Sequence, residues 1–238
     1  MKKLILILTI LLSACAKVNK GFNFIILVDQ SKSFTPFFSK YTNSIDKVVN
    51  AIGFYDTVSI ISINSFSEIE PAVLSKYTFK LPPEIDPFID QQDNYFLKEK
   101  IDSILNAQRK FLKEKIIKML NAEGTNYTDI FGALKIAEKL LVNNTKNIII
   151  IFSDMLNESH NLNFRKINLT DSKINDIITS LKSKDYIPDL TGSDVYVIGI
   201  RADNPTRLKQ VEKFWRLYFG YANANLKNYS ADLLVGIR

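Results

Sequence analysis

The residues best suited to chemistry stand at the ends of two apolar runs. Phe24 to Val28 are all apolar, and Asp29, Ser31 and Ser33 follow at a spacing of two. A carboxylate and two hydroxyls gathered round one turn offer only hard oxygens, the donor type a hard divalent cation takes. A second run, NIIIIFS over 147–153, ends in the same way on Asp154. Two carboxylates brought to one point would supply the charge such a cation needs.

Bringing them together is a task for the fold. Apolar runs of this length suit strands buried on both faces of a parallel sheet, and helical spacing between them supplies the crossovers. Strands are predicted over 22–28, 56–63, 147–153 and 194–200, with a weak edge strand within 72–81 bracketed by Pro71, Pro82 and Pro83, and a short last one over 226–229. Amphipathic helices are predicted from Thr35 to near Gly53, over 95–121, from Ile130 to Leu140, around Ile174 to Leu181, and from Asn204-Pro205 through Tyr218, with a terminal helical turn. The alternation predicts one α/β domain over 22–238, a three-layer doubly wound sheet, mostly parallel, with one short antiparallel edge strand. With strand order 3-2-1-4-5-6, strands one and four are neighbours whose connections leave toward opposite faces, so Asp29 and Asp154 meet at the crevice between them.

Asp29-x-Ser31-x-Ser33, the later Thr128, and Asp154 after its apolar strand resemble the metal-ion-dependent adhesion site of von Willebrand factor type A domains, and the element order resembles that family over 22–238. The resemblance implies a Rossmann-like fold and a binding module, not an enzyme. It implies Mg²⁺, with Mn²⁺ as a substitute, held by Asp29, Ser31, Ser33, Thr128 and Asp154 directly or through water, and a protein partner whose carboxylate completes the shell. Thr128 is preferred to Thr125 because TDIFGAL, 128–134, matches the family's spacing to the following helix. Gln30, Lys32, Tyr127 and Met155 would then face the partner. Met155 departs from the family, which often has glycine there.

Other chemistries are poorly supplied. His160 is the sole histidine and Cys15 the sole cysteine, so there is no soft zinc set, and disulfides are excluded. Ser31 and Ser33 lack a nucleophile-elbow pattern, and no glycine-rich phosphate loop is present. Mg²⁺-dependent hydrolysis at the same oxygens is the minor alternative, without an obvious general base. Phe214, Trp215, Tyr218 and Phe219 recur at helical spacing and read as core.

The first fourteen residues read as an export signal: Lys2 and Lys3, an apolar stretch over 4–12, then Ser13-Ala14. Leu12-Ser13-Ala14-Cys15 resembles the bacterial lipobox, which implies acylation of Cys15, a tether over 15–21 and a lipid anchor in the cell envelope. The non-acidic Ala16 favours the outer membrane by resemblance to enterobacterial sorting. The net charge of +6 falls to +4 without Lys2 and Lys3, and the lysines alternate with glutamates on helices, so no nucleic-acid partner is expected. A structural role in an envelope or secretion complex, with a non-essential metal site, is the other alternative.

Overall fold

A computed structural model describes residues 21–65, 73–83, 85, 95–122, 124–159, 162–201 and 204–237. The signal segment, Cys15, most of the tether and His160 lie outside them.

Among the described residues six strands form one sheet: β1 (Asn23–Asp29), β2 (Thr57–Ile63), β3 (Val73–Thr78), β4 (Asn147–Phe152), β5 (Asp194–Ile198) and β6 (Asn225–Ser230), in the order β3-β2-β1-β4-β5-β6. Only the edge pair β2–β3 is antiparallel. The predicted doubly wound sheet with one antiparallel edge is therefore what the chain forms. Every residue of β1 and β4 is buried, as their unbroken apolar runs require of central strands.

Side chains on β1 alternate between two cores. Ile25 and Leu27 face the side carrying α3 (Ile130–Lys139), α4 (Asp171–Ser183) and α5 (Pro205–Tyr221). Phe24, Ile26 and Val28 face α1 (Thr42–Asn50) and the C-terminal part of α2 (Tyr95–Leu120). Phe214, Trp215, Tyr218 and Phe219 are fully buried in the first core, so the aromatic cluster is packing rather than a surface.

Three expectations are corrected. The helix predicted from Thr35 begins as a 3-10 helix, Thr35–Tyr41, before α1; Pro36 withholds an N–H there and no side chain caps the start. The terminal helical turn does not form. Instead the Leu233 N–H donates to Ser44 Oγ at 3.0 Å and its carbonyl accepts from Lys47 Nζ at 2.8 Å, which spends the local backbone groups on α1. Phe111, expected on the buried stripe of α2, is 51% exposed and lies edge-on to Tyr77. Among the described residues no helix is long and apolar enough to cross a membrane.

Candidate functional site

β1 and β4 run parallel with Val28 opposite Phe152, so both chains leave the sheet at the same edge, one toward α1 and the other toward α4. Asp29 closes β1 and is fully buried. Its Oδ1 accepts from the Ser31 N–H at 2.8 Å, a tight turn that folds the serine back over the carboxylate. Its Oδ2 accepts from Ser153 Oγ at 2.6 Å. Ser31 and Ser33 share a hydroxyl–hydroxyl hydrogen bond of 3.1 Å. Asp154 is 2% exposed; its Oδ1 accepts from the Leu156 N–H at 3.0 Å, while Oδ2 is buried without a hydrogen-bond partner. The Arg165 guanidinium stands 3.5 Å from that oxygen.

The loop before α3 is held against both strand ends. Thr125 pairs with the β1 loop, its N–H donating to the Gln30 carbonyl at 2.8 Å and its carbonyl accepting from the Lys32 N–H at 3.0 Å. Gly124 permits this approach, since a Cβ there would stand 2.9 Å from Lys32 Cγ. Thr128, 1% exposed, exchanges backbone hydrogen bonds of 3.1 and 2.9 Å with Glu158 in the β4 loop. Asp129 then caps α3 by accepting from the Gly132 N–H at 3.1 Å. Thr125 donates its hydroxyl to the Tyr127 carbonyl at 2.7 Å.

Burial dominates the electrostatics. Loss of water pushes the Asp154 carboxyl up to about 7, and the nearby Asp29 charge adds to the rise against the Leu156 N–H and the Arg165 and Arg201 charges. The Asp29 carboxyl is also raised by burial, against the hydrogen bonds from Ser153 and Ser31. Two interacting carboxyls are thus each made less willing to ionise by burial.

Asp29, Ser31 and Ser33 are linked by hydrogen bonds, Asp154 is joined to them through its neighbour Ser153, and Thr128 lies against the Asp154 loop through Glu158. The four expected partner-facing residues divide. Lys32 is exposed and Tyr127 is 39% exposed. Gln30 turns inward, its amide donating to the Met119 carbonyl at 3.1 Å and accepting from Ser62 Oγ. Met155 is fully buried, with φ +62°, and its carbonyl accepts from Trp215 Nε1 at 2.9 Å.

Ser153 and Arg165 were not legible as site residues. In the sequence Ser153 reads as the last residue of an apolar strand, and Arg165 sits in a polar loop without periodicity. The adjacency of a hydroxyl to Asp154 was the one available signal for Ser153.

The donor chemistry fits a hard divalent cation: buried oxygens, two carboxyls, and an orphaned acceptor at Asp154 Oδ2. Asp29 keeps further lone pairs beside the two bonds it accepts. Among the described residues no three or more His, Cys, Asp or Glu side chains are grouped for a metal, so a cation here would depend on the hydroxyls as well.

No family model matches the chain, and no curated protein does. Solved structures similar to it include manganese-loaded Plasmodium vivax TRAP protein, with 14% identity and a TM-score of 0.36 over 90% of this chain and 69% of that one. Proximal thread matrix protein 1 from the mussel byssus shows 15% identity and a TM-score of 0.36, over 80% and 41%. Human COPII-coat protein Sec24c shows 9% identity and a TM-score of 0.41, over 89% and 30%. Likeness at this level assigns neither a family nor an activity.

Proposed function

We propose that the chain is a von Willebrand factor type A-like binding module, lipid-anchored through Cys15, that captures an acidic group of a protein partner at a Mg²⁺ held by Asp29, Ser31, Ser33, Thr128 and Asp154. Mn²⁺ would serve in its place. The observation that supports it is the buried pair at the β1 and β4 ends, with Asp154 Oδ2 lacking a hydrogen-bond donor. A bound cation would offset the cost of two neighbouring buried carboxylates and offer positive charge to an incoming one. In this chain's own residues, Ser153 orients Asp29, Leu156 orients Asp154, and the Thr125 pairing keeps the hydroxyl loops in register.

Titration calorimetry of the full chain with Mg²⁺ and Mn²⁺ tests the reading. Saturable heat for the wild type, lost in Asp29→Ala, supports it; no heat, or the same heat in the variant, removes it.

One observation favours a second reading, a structural envelope component whose strand-end site needs no metal: Arg165 already stands 3.5 Å from Asp154 Oδ2 as a countercharge. Pull-downs of envelope proteins that EDTA leaves unchanged would select it.

A further inference from the structure

A groove of about 590 Å³ opens beside the strand-end site, between the loop after β4 and the start of α5. Its wall carries Arg165, Lys166 and Arg207, and no Asp or Glu lines it among the described residues. The Arg207 guanidinium is oriented by the Ile167 carbonyl, to which Nη1 donates at 2.5 Å. Arg165 is drawn toward Glu158 at 2.6 Å, on the side of Asp154. Lys166 forms no ion pair among the described residues. The N-terminal end of α5, a helix of 17 residues capped by Asn204, adds its partial positive charge to the same wall.

Like charges gathered on a concave wall repel one another and concentrate anions from solution. The groove is much larger than one carboxylate or phosphate needs and falls in the range of sites that hold extended organic ligands. Leu156 and Ile167 supply apolar contact between the cations, and the amides of Asn168 and Gln210 supply polar groups, hydrogen-bonded to each other at 3.2 Å. Charge, size and mixed lining suit a peptide with acidic side chains better than a free anion. Arg165 touches both places: it lines the groove and stands beside Asp154.

We infer that this groove is an anion subsite for an acidic peptide segment, placed so that one partner chain offers one carboxylate to the strand-end site and another to Lys166 and Arg207. The inference rests on the binding reading of that site and extends it from one acidic group to an acidic stretch.

The test is fluorescence anisotropy of the full chain with a labelled peptide of alternating Asp and Gly at low salt, in excess Mg²⁺ and in EDTA, with the Asn–Gly peptide as control. The Asp–Gly peptide is expected to bind in Mg²⁺, and Lys166→Glu to weaken it about tenfold. EDTA is expected to leave a residual affinity that Lys166→Glu still lowers. Wild-type affinity in Lys166→Glu, equal binding of the Asn–Gly peptide, or no binding of the Asp–Gly peptide overturns the subsite. Binding of inorganic phosphate with no binding of the peptide also overturns it, in favour of a free-anion site. If EDTA and Asp29→Ala change nothing while Lys166→Glu weakens binding, the groove stands and the metal reading falls. If EDTA abolishes binding while Lys166→Glu changes nothing, the reverse holds.

Discussion

Ser153 Oγ donates to Asp29 Oδ2 at 2.6 Å, tying the residue after β4 to the last residue of β1. The same hydroxyl accepts from the Met155 N–H at 3.0 Å, so one buried side chain holds both halves of the candidate site. Ser153→Ala removes both bonds and leaves a buried carboxylate oxygen and a buried N–H without this partner. The expected cost is about 1–3 kcal/mol of folding stability, read from urea unfolding in EDTA. An unchanged midpoint would show that the bond does not hold the strand ends together.

The raised carboxyl of Asp154 makes the metal-free protein less stable as pH rises. Its ordinary value is 3.8 and the folded one about 7, so between these the folded chain keeps a proton that the unfolded chain has released. Asp154's contribution to stability is full below the lower value, is lost through the interval, and levels off above the upper one. Asp29, raised in the same direction, adds to the slope. Urea midpoints in EDTA from acid to mildly alkaline pH should show this decline, and Asp154→Asn should flatten it. A midpoint that rises over the same interval in the wild type, with no such flattening, sinks the assignment.

Arg165 acts on a cation in two opposing ways. Its charge, 3.5 Å from Asp154 Oδ2, favours the ionised carboxylate, yet it repels Mg²⁺ at the same place. At alkaline pH, well above the value of about 7, Asp154 is largely ionised and the repulsion is the larger of the two effects. Arg165→Ala is then expected to tighten Mg²⁺ about threefold to tenfold by calorimetry, the guanidinium being about one-third exposed and screened accordingly. Near pH 6 the gain should shrink or reverse, because the variant holds its Asp154 proton more firmly. Equal affinity at both pH values would place Arg165 outside the site's electrostatics.

The sheet was legible because its central strands carry little besides apolar residues. NFIILVD and NIIIIF admit one placement, flanked by neighbours on both sides, and the strand order followed from it. The helices that cross over were legible from spacing, and the Asn204 cap of α5 from residue type; its side chain accepts from the Arg207 N–H at 2.8 Å. Local rules failed where a distant partner decided the outcome. Leu233 enters no helical turn because Ser44 and Lys47 take its backbone groups, and Gln30 turns inward because Ser62 and the Met119 carbonyl meet its amide. Neither contact leaves a trace in spacing, and the same holds for the Arg165 approach to Asp154, made across a loop.

Met155 concentrates the conflict at the far side of the site. Its φ of +62° lies in the left-handed region, which costs a residue with a Cβ about 1–2 kcal/mol. The side chain is fully buried in the core beneath α5, and burial of a methionine returns about 2–5 kcal/mol when judged by its truncation. Packing therefore outweighs strain, which accounts for a large residue where the resemblance implies glycine. Two variants separate the terms. Met155→Ala keeps the strain and loses the packing, whereas Met155→Gly loses both but gives back about 0.4–1 kcal/mol through the looser unfolded chain. Both should unfold at lower urea than the wild type, with Met155→Gly at least as stable as Met155→Ala, the reverse of the usual order for these two residues. Met155→Ala clearly above Met155→Gly would mean that the backbone at 155 relaxes out of the left-handed region once the side chain is gone.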